Sequence, residues 1–536
     1  MKNLTLILAL LVNTLLFSQS ILTKQDTLRG TITPERAWWD VKHYEIEIEP
    51  IISKQKITGK NTIEFYTLRH GQKMQIDLQS PMEIDSITFA EERTTFNRLG
   101  NVYYINFENE LFSDKRYKIT IHFSGKPHKA INAPWDGGWI WSKDTKGNPW
   151  ITVACQGLGA SVWYPCKDHQ SDEPENGTKI SLKVPNNLVG VSNGQFIGKK
   201  EVEKNKTIYY WEVKNPINSY NIVPYIGNYI HWSDTYAGEK GKLSLDYWIL
   251  EENLEKSKKQ FQQVKPMLSC LEKWLGPYPF YEDGYKLVEA PHLGMEHQSA
   301  IAYGNKYKNG YDGSDISNSG TGDKWDFIIV HESGHEWFGN SITSKDIADM
   351  WIHEAFTSYS EVLFTECLFG KDAGNKYVQG IRNRIKNDTP IIGNYNVNKE
   401  GSGDMYFKGS NLIHIIRQLI NNDEKFKSLL RNINKQFYHK TITTQQLEKY
   451  IIDFTELPLE KLFDQYLRTI QIPVFEYRIN NDEVEYRWTN CVKGFQLKLK
   501  LDDGTWLDCS DNWKKSTSTL NFNLDSNFYL TSKKVQ

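Results

Sequence analysis

The 536-residue chain has only six cysteines, too few for a dense disulfide framework. It has no run of basic residues, and its 64 Lys and Arg nearly balance 66 Asp and Glu. A surface that tracks a phosphate backbone is therefore excluded, and no nucleic-acid partner is expected. After Phe17 no apolar stretch reaches the ~20 residues that a spanning helix needs, so no integral membrane segment is expected in the mature chain. Internal repeats and low-complexity segments are also lacking. What remains is a globular chain too long for one core, which at roughly 150 residues per domain should divide into about three.

The one apolar run is at the start. MKNLTLILALLVNTLLFSQS places Lys2 before an apolar stretch from Leu4 to Phe17, followed by Ser18 to Ser20. This is the pattern of a secretory signal peptide over residues 1–20, with the mature chain starting near Ile21 and exported to a periplasm or beyond. An exported chain can oxidise some cysteines, and Cys155 with Cys166 and Cys491 with Cys509 are the candidate pairs. A two-residue Asp503-Gly504 turn would set Lys498, rather than Cys491, opposite Cys509, so the second pair needs a neighbouring strand.

Periodicity divides the rest. From about Asp40 to Tyr229 apolar residues alternate, as in HYEIEIEP and RYKITIHFSG, which predicts a β-rich domain. At LEKSKKQFQQVKPMLSCLEKWLG the spacing changes: Val264, Leu268, Leu271 and Leu275 recur at helical intervals and Gly276 supplies a stop. Helical segments continue to about Ile470, and alternation returns at Phe495, Leu497, Leu499 and Leu501. The division drawn is 21–240, 241–470 and 471–536. The 17 Trp, 29 Tyr and 24 Phe read first as core, although Trp135, Trp139, Trp141 and Trp163 surround Gln156 in sequence and could wall a pocket.

The chemistry concentrates in HESGHEWFGNSITSKDIADMWIHEAF. His331 and His335, four apart on a helix, project from one face and can share an ion, with Glu332 beside them. A catalytic zinc site takes three protein ligands and leaves a fourth position for water. Glu354, in WIHEAF, can supply the third ligand from a second helix. The preceding FIIV would carry this polar set into apolar surroundings, which is costly unless a metal pairs with it. One zinc ion per chain is expected, with Glu332 as general base. His292, His297 and His353 have no partner at ligand spacing and are not placed in a second centre.

At these residues the chain resembles the aminopeptidase N family of zinc gluzincins, the group that also contains the leukotriene hydrolases. HESGH with Glu354 resembles the family's zinc signature, and GMEH, Gly294 to His297, resembles its exopeptidase motif. YFKG, Tyr406 to Gly409, resembles the motif carrying an oxyanion-binding tyrosine, and ACQG around Gln156 resembles the segment lining the substrate's amino end. The resemblance implies a multidomain α+β fold: a saddle-like β-domain, a thermolysin-like, mainly helical catalytic domain and a small C-terminal β-sandwich. It implies a zinc aminopeptidase that hydrolyses peptides with a free N-terminus by attack of a zinc-bound water. Tyr406 would then stabilise the oxyanion, and Glu296, Gln156, Gly294 and Met295 would bind substrate. The chain departs from the family at His297 and His353, where the usual motifs have Asn, and no large helical domain follows the last β segment. A zinc endopeptidase and a catalytically silent peptide-binding module are the alternatives. Oligomeric state is not legible.

Overall fold

A computed structural model describes residues 22–202, 205–480, 483–516 and 523–536; the expected leader at 1–20 lies outside them. The first third is built on an eight-stranded sheet centred on Trp39–Ile51 and Lys56–Thr67, which pair antiparallel, while Trp39–Ile51 pairs parallel with Thr178–Pro185. HYEIEIEP makes its strand because alternation places Tyr44, Ile46 and Ile48 on the buried face. Trp39, Phe65, Trp139 and Trp163 join the same core. Of the four tryptophans near Gln156, then, Trp139 and Trp163 are packing residues, and Trp135 is mostly exposed.

The next unit begins with a hairpin, Tyr229–Gly238 and Gly241–Leu250, which leads a five-stranded sheet. Tyr285–Glu289 and Ile301–Tyr303 continue that sheet, and Gly294–Met295 forms its edge. The division at 240/241 therefore falls inside a hairpin: period separates strand from helix but cannot say which sheet a strand joins. Four helices carry the argument below: α1 (Val264–Leu275), α2 (Phe327–Gly334), α3 (Trp351–Phe369) and α4 (Phe407–Ile420). Asp326 starts α2 by accepting from the backbone N–H groups of Ile328 and Ile329. Every residue of α3 from Trp351 to Thr365 is buried, so this helix runs through the core with polar groups that need partners inside it.

Cys270 on α1 is bonded to Cys367 on α3, and Cys155, Cys166, Cys491 and Cys509 are free thiols. Both expected pairs are thereby corrected. Cys155 Sγ lies 3.4 Å from the Tyr220 carbonyl, and the Cys166 backbone bridges Asp77. The turn before Cys509 is corrected as well. Leu501 N donates to Thr505 O at 2.8 Å and Leu497 faces Cys509, because the loop has three residues with Gly504 at φ 90°; the register moves by one. That hairpin packs on a four-stranded sheet, Trp488 meeting Phe495 edge-on at 5.7 Å, to close the small C-terminal β unit.

Candidate metal and peptide site

The two histidines of α2 are fixed by their Nδ1 atoms. His331 Nδ1 lies 2.7 Å from Glu361 Oε1, whose other oxygen accepts from the Tyr377 hydroxyl at 2.7 Å. His335 Nδ1 lies 3.0 Å from the Phe338 carbonyl. These acceptors favour a proton on each Nδ1, which would leave Nε2 to a metal once one displaces any proton there. Those Nε2 atoms stand 3.8 Å and 3.4 Å from Glu354 Oε2, on α3.

The donor set fits zinc. The ligand atoms of His331, His335 and Glu354 all lie within 4.8 Å of one another. Glu354 Oε2 is buried with no hydrogen-bond donor, and leaving a carboxylate oxygen so costs several kcal/mol unless a cation meets it. Burial alone would lower the pKa of His335, but Glu354 and Glu296 outweigh it and push the ring up to about 10; the pocket's field calls for positive charge. Among the described residues the only other such grouping is Glu296, Glu332 and His335, which includes none of His292, His297 and His353.

Three carboxylates share this space with different environments. Burial, with Glu296 adding to it against the pull of His331, pushes Glu332 up to about 7, which suits a group that takes and returns a proton near neutrality. Burial also raises Glu296, against the pull of His335. Glu296 Oε1 accepts from Gln156 Nε2 at 2.5 Å and from the Tyr220 hydroxyl at 3.1 Å, and Asn340 Nδ2 donates to its backbone carbonyl at 2.8 Å. Because the Gln156 amide gives its N–H to Glu296, its Oε1 remains an acceptor. Burial, Glu354 and Glu400 raise the Tyr406 phenol well above its usual value, so it keeps its proton; its ring stacks on His331 at 6.1 Å.

Gly294 lies on the edge strand against α2. A Cβ there would come within 2.6 Å of Glu332 Oε1, so the close approach of this strand to the carboxylate requires glycine. Met295 is buried in the hydrophobic cluster of the N-terminal unit. His297 is engaged by Tyr225. Tyr225 gives its proton to the Ala300 carbonyl and accepts from His297 Nδ1, each at 2.7 Å, and burial holds this imidazole well below its ordinary pKa. His353 Nε2 accepts from Ser344 N at 2.8 Å and steadies the turn before α3. Glu361, Tyr377, Tyr220 and Asn340 were not found by motif. Glu361 had a signal, an acidic residue two helical turns after Glu354 on the same helix face; the others had none.

A strand-rich unit, a helical unit with paired histidines and a carboxylate, and an edge strand beside them define a zinc metallopeptidase. The chain matches the Peptidase family M1 domain over residues 260–466 and the Peptidase M1 N-terminal domain over 40–221, and it belongs to that family. It is 25% identical over 79% of its length to leukotriene A-4 hydrolase of Xenopus laevis, covering 69% of that protein. It is 22% identical over 73% of its length to Aminopeptidase M1-D of Oryza sativa subsp. japonica, spanning only 44% of that relative. An M1 zinc metallopeptidase of Deinococcus radiodurans, solved with a Tyr-Ser-Ala substrate, superposes with TM-score 0.69 at 17% identity, covering 83% of this chain and 98% of that one.

Proposed function

We propose that the protein is a zinc aminopeptidase that removes N-terminal residues from peptides. The observation that carries this reading is the buried Glu296 carboxylate, held by Gln156 and Tyr220 on one oxygen and grouped with Glu332 and His335. Its second oxygen is left for a substrate ammonium, which neutralises a carboxylate whose burial is otherwise unfavourable. A charge-assisted hydrogen bond of this kind contributes roughly 1.5 to 3 kcal/mol and fixes the scissile carbonyl one residue away. His331, His335 and Glu354 would hold the zinc, which supplies Lewis acidity toward water and the peptide carbonyl. Glu332 takes the proton of the attacking water and returns it to the leaving amine. Tyr406 donates its hydroxyl proton to the developing oxyanion. The edge strand Gly294–Met295 is placed where an extended peptide could add beside it.

We also propose export through a leader at residues 1–20. The Cys270–Cys367 bond supports it, since such bridges persist in oxidising compartments. N-terminal sequencing of native protein tests this, and an intact Met1 refutes it.

The peptidase reading is tested with aminoacyl fluorogenic substrates and peptides, each with and without an N-acetyl group. Free-amine substrates are cleaved and acetylated ones are not; equal cleavage of both would make the protein an endopeptidase.

A further inference from the structure

The turn that begins at Gln156 is gripped at its next carbonyl from two sides. Arg29 Nη2 and Asn398 Nδ2 each donate to Gly157 O at 2.9 Å. Arg29 Nε pairs with Asp168 Oδ2 at 3.3 Å, and the same oxygen accepts from Ser161 N and Ser161 Oγ at 3.1 and 2.5 Å. Gly159, at φ 95°, leaves room for this pair: a Cβ there would stand 2.0 Å from Arg29 Nη2 and 2.2 Å from Asp168 Oδ2.

The helix that carries Arg29, Lys24–Gly30, is itself tied down. The buried Arg36 donates from Nη1 to the carbonyls of Leu28, Arg29 and Thr31 and pairs through Nη2 with Asp77. Asn398 N donates to Asp26 O at 3.2 Å, so the loop before Tyr406 touches both the helix and the Gln156 turn. A cavity of about 40 Å³ lies among Arg29, Gly157, Asp168, Tyr220 and Asn398, and Tyr220 also donates to Glu296.

A turn with two glycines at positive φ has little stiffness of its own, yet the Gln156 amide has to be held to about 0.5 Å for a short hydrogen bond to Glu296 to survive. We propose that Arg29 is a positioning residue of the amine subsite, acting through the Gly157 carbonyl on Gln156, with Asn398 as the second grip. The inference rests on the aminopeptidase reading above. It makes the first helix after the expected leader part of substrate recognition.

The test compares Gln156→Ala, Arg29→Ala and Asn398→Ala with the double variant Arg29→Ala/Gln156→Ala, all as full-length zinc-loaded protein assayed on a free-amine aminoacyl substrate. Each single variant is expected to raise KM about five- to tenfold with kcat within about threefold and zinc content unchanged. The double variant should be no worse than Gln156→Ala alone, because Arg29 has nothing left to position. An unchanged KM in Arg29→Ala and Asn398→Ala, or effects that multiply in the double variant, overturns the proposal. Should Arg29→Ala not fold, Asn398→Ala alone and combined with Gln156→Ala decides by the same criteria. An unchanged KM in Gln156→Ala together with cleavage of acetylated peptides faults the amine anchor itself, and this inference falls with it. Discrimination against acetylated peptides with no change in the Arg29 and Asn398 variants faults the positioning step alone.

Discussion

His331 Nδ1 lies 2.7 Å from Glu361 Oε1, and Glu361 stands on α3, the helix that also carries Glu354. One helix therefore offers both a candidate ligand and the group that orients a second candidate ligand. Glu361→Gln keeps the shape but weakens the acceptor, and zinc affinity should fall about tenfold or more. Competition with a chelator at fixed pH measures this; an unchanged dissociation constant would show that Phe327 stacking on His331 suffices to aim the ring.

Glu332→Gln should retain zinc and lose at least about a hundredfold in kcat, because an amide cannot accept the proton of the attacking water. Metal analysis alongside turnover checks it. Full zinc with near-normal kcat would remove Glu332 from the reaction.

Tyr406→Phe should lower kcat about a hundredfold, some 3 kcal/mol of oxyanion stabilisation, and alter KM much less. Steady-state kinetics separate the two. A change confined to KM would mean that the phenol binds the ground state.

Glu173 gives a pH prediction away from the metal. Burial pushes it up to about 7, although Thr343 and Asn218 hydrogen-bond to it. Between its unfolded value near 4.5 and this native value the folded state holds the extra proton, so its contribution to stability is present at low pH and is lost as pH rises through that window. Glu173→Gln cannot ionise, and its Tm relative to the parent should improve more at pH 8 than at pH 5. Equal offsets at the two pH values would show that the carboxyl titrates normally.

The sequence made the metal set legible because helix geometry converts a four-residue spacing into a shared face, and only one long-range step, α2 against α3, was needed for Glu354. The β and helical units were legible for the same local reason: alternation in HYEIEIEP and helical spacing through Leu268 and Leu271 follow from burial on one face. Cysteine pairing was not legible. Cys270 and Cys367 are 97 residues apart on two helices that meet only in the folded core, whereas the nearer cysteines suggested pairs that the fold leaves as free thiols. Tyr220 and Asn340 escaped because neither belongs to a periodic pattern or motif; each reaches Glu296 only after distant segments pack together. His297 was legible as a departure, but its direction depended on Tyr225, 72 positions away.

The three candidate metal ligands, with Glu296, Glu332 and Glu361, fall within the stretch of chain that the Cys270–Cys367 bond closes. The bond acts as a hoop around the pocket, and by limiting the unfolded chain a bridge of this kind contributes typically about 2 to 4 kcal/mol. Where thiols are kept reduced, that hoop is open and the metal has a more loosely tethered cradle to find. Closing the bond would therefore be expected to favour metal loading, by narrowing the chain conformations from which the pocket must assemble.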